Sequence, residues 1–291
     1  MTDKYKCITT VYEVLLRRSA QFQEYAHKFI ERLPVMYEEI QKELKLAVDD
    51  LIAALEDQTP IPENLNFHRF FMTFAWGIIT LLAYYFTYMQ GSTILPLVLN
   101  YIIDSSSALL LAYFIIPIIS YFNLKAYEEY GRKSRFLLLI AALVQGLLVG
   151  FLLSNCSPAV YLPVEAINMI FVTVSSRLLG PKFNNDRQAY FGFINGIGFI
   201  FLICVGFFTR QLNKAYLFSA ISAVLTSHLV VQVYIRRVLQ VTIVKLSPIQ
   251  ECLQSDLRPS YILLMMMTLS IYCQTLIRIL FGRYVLKIKK L

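Results

Sequence analysis

Seven apolar runs, each about long enough to cross a bilayer, follow one another between Phe70 and Phe281 with no polar domain between them. A spanning helix needs roughly 20 mostly apolar residues. Inside hydrocarbon the backbone must satisfy its own hydrogen bonds, which leaves helices as the economical solution. The fold class expected from this is an all-α, polytopic membrane helical bundle of six to seven spans. The runs fall at about 70–89, 95–122, 136–154, 158–179, 189–209, 215–235 and 260–281.

Charge is scarce at 16% of residues, although the net charge is +8. A basic balance invites a nucleic-acid reading, but the Lys and Arg side chains sit in short loops beside apolar runs. That is the distribution expected of a membrane protein that keeps positive loops in the cytosol, so no nucleic-acid partner is expected. The five cysteines (Cys7, Cys156, Cys204, Cys252 and Cys273) form no C-x-x-C pair, and imply neither a disulfide framework nor a metal site. Residues 1–33 have no apolar core of the signal-peptide kind, which leaves insertion to the first span. The expected partner common to all spans is the lipid bilayer.

Residues 1–58 differ from the rest. Val11, Leu15, Phe22, Ala26, Phe29 and Leu33 recur at helical spacing, Pro34 interrupts, and Met36, Ile40, Leu44, Ala47, Leu51 and Ala54 resume the period. Glu38 and Lys42 are placed for an i,i+4 pair. Acidic residues outnumber basic ones here, so this is not a polybasic lipid anchor. The segment reads as a cytosolic amphipathic helical extension of two helices, offering a surface to a membrane or cytosolic protein. Residues 59–281 form the membrane domain and 282–291 a basic tail.

Loop charges orient the chain. The loop after the first span has no Lys or Arg, the next has Lys125, Arg132, Lys133 and Arg135, and the loop around Cys156 has none. Arg177, Lys182 and Arg187 follow, then Arg210 and Lys214, then Arg236, Arg237, Lys245 and Arg258. The alternation places the N-terminus in the cytosol. The tail conflicts with it: seven crossings put it on the far side, yet it carries Arg283, Lys287, Lys289 and Lys290. The charge rule favours a re-entrant last run and a cytosolic tail; the length of 261–280 favours a crossing.

Ionisable groups inside spans are expensive and mark candidate function. Asp104 lies in the second run beside Ser105, Ser106 and Ser107. Glu165 shares a face with Asn168 in the fourth, and His228 lies in the sixth. These three are the candidate ion-path or proton-sensitive residues. Gly146 and Gly150, and again Gly192 and Gly196, have the G-x-x-x-G spacing that lets helix backbones approach closely. No Ser–His–Asp set, paired metal ligands or phosphate loop is present, so neither enzyme activity nor a cofactor is expected.

Several short stretches, in order, resemble the Bax-inhibitor family: Thr59-Pro60, His68-Arg69-Phe70-Phe71, Arg135-Phe136-Leu137 through Gly146 and Gly150, Ser157-Pro158, Asn168-Met169-Ile170-Phe171, Arg187-Gln188-Ala189-Tyr190-Phe191, and Ser260-Tyr261-Ile262 with Arg278. The resemblance implies a seven-helix protein of the endoplasmic-reticulum membrane that regulates cell death or calcium homeostasis, with calcium or another cation as partner. The chain departs from that family at its carboxylates, whose positions match Thr226, Gln232, Met267 and Ile271. A leak path would then be altered or lost. The alternative is a non-conducting interaction scaffold that uses its N-terminal helices.

Overall fold

The computed structural model describes residues 38, 41, 42, 45, 48, 49, 51–62, 65–126, 132–154, 156–157, 162–183, 186–245, 259–281 and 283–284. The chain divides into two compact units, Met1–Ala53 and Ala54–Leu291. In the first unit the described residues from 38 to 53 are helical, and Glu38 and Lys42 are exposed on that helix. The first of the two expected amphipathic helices lies outside the described residues.

The second unit is built on helices. They are α1 (Phe67–Thr93), α2 (Pro96–Ile102), α3 (Ser105–Leu110), a π-helical turn (Leu111–Ile115), α4 (Ile116–Ala126), α5 (Arg132–Leu152), α6 (Val164–Leu179), α7 (Arg187–Phe208), α8 (Lys214–Lys245) and α9 (Pro259–Phe281). Six segments are long and apolar enough to cross a membrane: Phe67–Thr93, Ser105–Leu124, Arg132–Leu152, Arg187–Phe208, Lys214–Val238 and Tyr261–Phe281. The fourth expected run becomes α6, of 16 residues. At 1.5 Å per residue it is about 24 Å long, short of a full span, and it packs against α1, α7 and α8.

Side-chain contacts fix the helix directions. α1 and α5 run parallel: Arg135 lies over the Trp76 ring at 5.3 Å near their starts, and Gly91 meets the Leu147 backbone near their ends. The start of α1 also meets the end of α6, through Arg177 over Phe71. It meets the lower part of α8 through the edge-on Phe70–Tyr234 pair at 5.2 Å. Tyr121 of α4 pairs with Tyr261 at the start of α9. At the opposite end, Tyr85 meets Glu165, Phe218 meets Phe281 and Tyr88 meets Arg278. The segments therefore alternate in direction. Arg132, Lys133, Arg135, Arg177, Lys182, Arg187, Arg236 and Arg237 gather at the end where α1 begins.

Two features of the second apolar run depart from a single span over 95–122. α2 stops at Ile103, which is extended, and Asp104 then caps α3 by accepting from the Ser106 amide at 3.1 Å. Short polar side chains compete with the backbone in this way and start helices rather than continue them. Further on, the π-helical turn widens the helix, and two neighbouring side chains reach its carbonyls. Gln145 of α5 donates to the Ala112 carbonyl at 2.8 Å, and the Tyr272 hydroxyl donates to that of Tyr113. Irregular backbone within an apolar bundle is tolerated where protein groups re-satisfy it.

α9 is an uninterrupted 23-residue helix rather than a re-entrant loop. Arg283–Tyr284 then pairs antiparallel with Cys156–Ser157, with Cys156 opposite Tyr284. The start of the tail thus lies at the end of the bundle where α5 finishes. α9 buries a face that includes Leu263, Met266, Met267 and Ile271 against its neighbours.

Candidate functional site

The polar groups of the bundle interior gather in three places. Glu165, in the first turn of α6, is 4% exposed. Its Oε2 accepts from the Tyr85 hydroxyl of α1 at 2.7 Å and from the Gln274 side-chain amide of α9. Glu165 Oε1, Gln274 Oε1 and Arg278 Nη1 are buried atoms with no hydrogen-bond partner. Arg278 stacks over the Tyr88 ring at 3.8 Å. Beside this cluster the Tyr113 and Thr275 hydroxyls share a bond of 2.7 Å. One carboxylate thus ties three helices through a single oxygen.

The second cluster joins α6, α7 and α8. Asn168 donates to the Ala223 carbonyl at 3.0 Å and to the Ser227 hydroxyl at 2.8 Å. His228 Nδ1 lies 2.9 Å from the Asn195 amide nitrogen, with the ring edge-on to Phe191. This half-buried histidine is held by one amide and one ring.

The third lies where α7 begins. Asp186 caps α7 through the Ala189 amide, which directs Arg187 inward, 6% exposed. Its Nε and Nη2 donate to Gln232 Oε1, and its Nη1 donates to the Thr59 carbonyl at 3.0 Å and meets Asp57 Oδ2 at 3.1 Å. Partial burial pushes the Asp57 carboxyl up, but bonds from the Thr59 hydroxyl and amide and the adjacent Arg187 outweigh it, leaving Asp57 below its ordinary value of 3.8. A depressed carboxyl stabilises the fold fully above its unfolded value and loses that contribution as pH falls through the folded one. Acidification below about pH 4 is therefore expected to remove at most about 1 kcal/mol from this pair. Acid melts of the wild type should show the loss, and those of Asp57→Asn should lack it.

The three candidate residues are not brought together. Asp104 is exposed at the α3 cap, where bonds from the Ser106 side chain and then its amide hold its carboxyl below the usual range. Glu165 is in the first cluster and His228 in the second, and no hydrogen bond joins them. Of the positions matched to family carboxylates, Gln232 receives Arg187, while Thr226 is buried. Met267 and Ile271 are fully buried core. The two glycine pairs also differ. A side chain on Gly146 or Gly150 would run into the backbone of α1 at Tyr84 or Tyr88, whereas Gly192 and Gly196 face open space. Only the first pair packs helices in this chain. Among the described residues, no cluster of His, Cys, Asp and Glu could hold a metal ion.

Sequence reasoning missed Tyr85, Gln274, Asn195 and Gln145, and gave Arg187 and Arg278 no interior role. The available signal was an amide-bearing side chain within an apolar run, which is as conspicuous as a charge once every buried polar group is required to find a partner.

No curated protein and no solved structure matches the chain. A family model described as "Interactor of ZYG-11" matches residues 3–270, which includes nearly all of the N-terminal extension. This overturns the resemblance to Bax inhibitors, together with the cell-death and calcium roles attached to it. The motifs behind that resemblance were basic and aromatic residues at span ends and glycines within spans, features that bilayer physics demands of many polytopic chains. The chain belongs to the Interactor of ZYG-11 family.

Proposed function

We propose that this chain is a multi-pass membrane protein, without enzymatic activity, that binds a ZYG-11-type protein from the cytosolic side. The family match over residues 3–270 carries the partner. The membrane placement is supported by large exposed apolar side chains along the sides of the helices, among them Met72 and Phe86 of α1, Phe136 and Ile140 of α5, and Ile200 and Phe207 of α7. In water such a surface far exceeds the apolar patch a soluble monomer tolerates. Orientation follows the cations: they gather at the end where α1 begins, and that end faces the cytosol.

The test uses the full chain in lipid nanodiscs with a purified ZYG-11 protein in solution. Saturable binding above empty nanodiscs is the expected result. Binding indistinguishable from empty nanodiscs, with the chain folded by circular dichroism, overturns the partner. Release of the chain from cell membranes by alkaline carbonate overturns the placement, and fractionation of the same membranes tests residence in the endoplasmic reticulum.

A further inference from the structure

Residues 57–62 have no regular secondary structure, and Thr59 and Pro60 are exposed. The Thr59 amide and hydroxyl both donate to Asp57 Oδ1, at 3.0 and 2.7 Å, forming a short turn. Arg187 Nη1 lies 3.4 Å from the Thr59 hydroxyl oxygen, and the far side of the guanidinium is fixed on Gln232. A buried, oriented guanidinium therefore stands beside an exposed hydroxyl, with Asp57 the one carboxylate paired to it among the described residues.

The geometry points to Thr59 as a phosphorylation site for a proline-directed protein kinase, with Arg187 already in place to receive the phosphate. A hydroxyl residue followed by proline in irregular, exposed chain is the pattern such kinases read, and 57–62 presents Thr59-Pro60 in that form. In the transfer, Thr59 Oγ attacks the γ-phosphorus of a nucleoside triphosphate. The new O–P bond forms, the bond from the γ-phosphorus to the bridging oxygen breaks, and the nucleoside diphosphate leaves. The hydroxyl proton passes to the base of the kinase.

The consequence follows from charge. Asp57 Oδ1 loses the hydroxyl donor and faces a group carrying about −1.5 to −2. Arg187 Nη1 holds the phosphate more strongly than its single carboxylate contact, because the phosphate carries the larger charge. The phosphate takes Nη1, Asp57 turns away to solvent, and Gln232 keeps its side of the guanidinium. The switch exchanges one anion for another on a fixed cation, and it rests on the proposed cytosolic placement of this end.

The experiment treats the full chain in detergent micelles with a proline-directed kinase and magnesium ATP. Ser157 and Ser247, which also precede proline, are replaced by alanine in every protein tested, and one phosphate is then expected, mapped to Thr59 by mass spectrometry and absent when Thr59→Ala is added. The phosphorus resonance is then titrated. A second ionisation ordinarily near about 6 is expected about one pH unit lower in the chain, and near its ordinary value in Arg187→Gln. Asp57→Asn covers the case in which Arg187→Gln fails to fold: it keeps the guanidinium, removes the like charge, and is expected to lower the midpoint further. Failure of the folded chain to take phosphate at Thr59, or an unshifted midpoint in both the wild type and Asp57→Asn, overturns the inference. Neither readout involves the ZYG-11 protein, so loss of partner binding leaves the two conclusions separable.

Discussion

Gly150→Val is expected to lower the stability of the detergent-solubilised chain by about 3 kcal/mol or more, read as an earlier midpoint in thermal or SDS unfolding. Overpacking a core ordinarily costs about 1–3 kcal/mol when side chains can give way. Here the obstacle is backbone: a Cβ on Gly150 meets the Tyr88 carbonyl, and one on Gly146 meets that of Tyr84. Neither helix can yield without breaking the ladder of its own hydrogen bonds. α1 and α5 run parallel and share the largest helix–helix contact of the bundle, so any separation exposes a long seam. Gly146→Val should behave the same way. Gly192→Ala and Gly196→Ala are the matched controls. They meet nothing within 4 Å, and replacing helical glycine by alanine gains up to about 1 kcal/mol. Equal losses from both pairs would refute the assignment of the close approach to α1 and α5.

The second large effect concerns Glu165. Glu165→Leu strands the Tyr85 hydroxyl and the Gln274 amide, two buried donors that each cost about 1–3 kcal/mol when unpaired. A loss of about 2–5 kcal/mol is expected. Glu165→Gln keeps one oxygen that both donors can reach and should stay within about 1 kcal/mol of the wild type. The decisive comparison is the triple change Glu165→Leu, Tyr85→Phe and Gln274→Leu. Replacing every partner by apolar groups of similar shape removes the stranded donors, so much of the stability should return. If the triple variant is no better than Glu165→Leu alone, the cost lies in shape rather than in hydrogen bonding.

The six long helices were legible because an apolar run of about 20 residues has few alternatives. α6 was read as a full span because Pro158 to Tyr161 extended its apolar run, while the helix itself starts at Val164 after Pro163. Asp104 was assigned to hydrocarbon by run length alone. The residues beside it, Ser105, Ser106 and Ser107, were already a capping signature that argued for a break. Glu165 was legible as costly, but its partners come from α1 and α9, 80 and 109 residues away in sequence. Periodicity within one helix carries no information about such partners. Gln232 was noted for the charge it lacks, yet its role is to accept a bond from Arg187, a pairing that depends on α7 and α8 lying side by side.

α9 also sets the order of events during synthesis. It supplies Gln274 to Glu165, Tyr272 to the π-turn of the second long segment, and, just beyond its end, the strand that clasps Cys156–Ser157. α9 follows the other described helices in chain order, so these partners are translated after the groups they meet. Until α9 has been translated, Glu165 and the Tyr113 carbonyl lack these partners, the kind of exposed polarity that insertion machinery and quality-control factors recognise. Closure of this bundle thus waits for α9, and a nascent chain arrested before Pro259 is expected to remain crosslinkable to insertion machinery through Glu165, whereas the full chain is not.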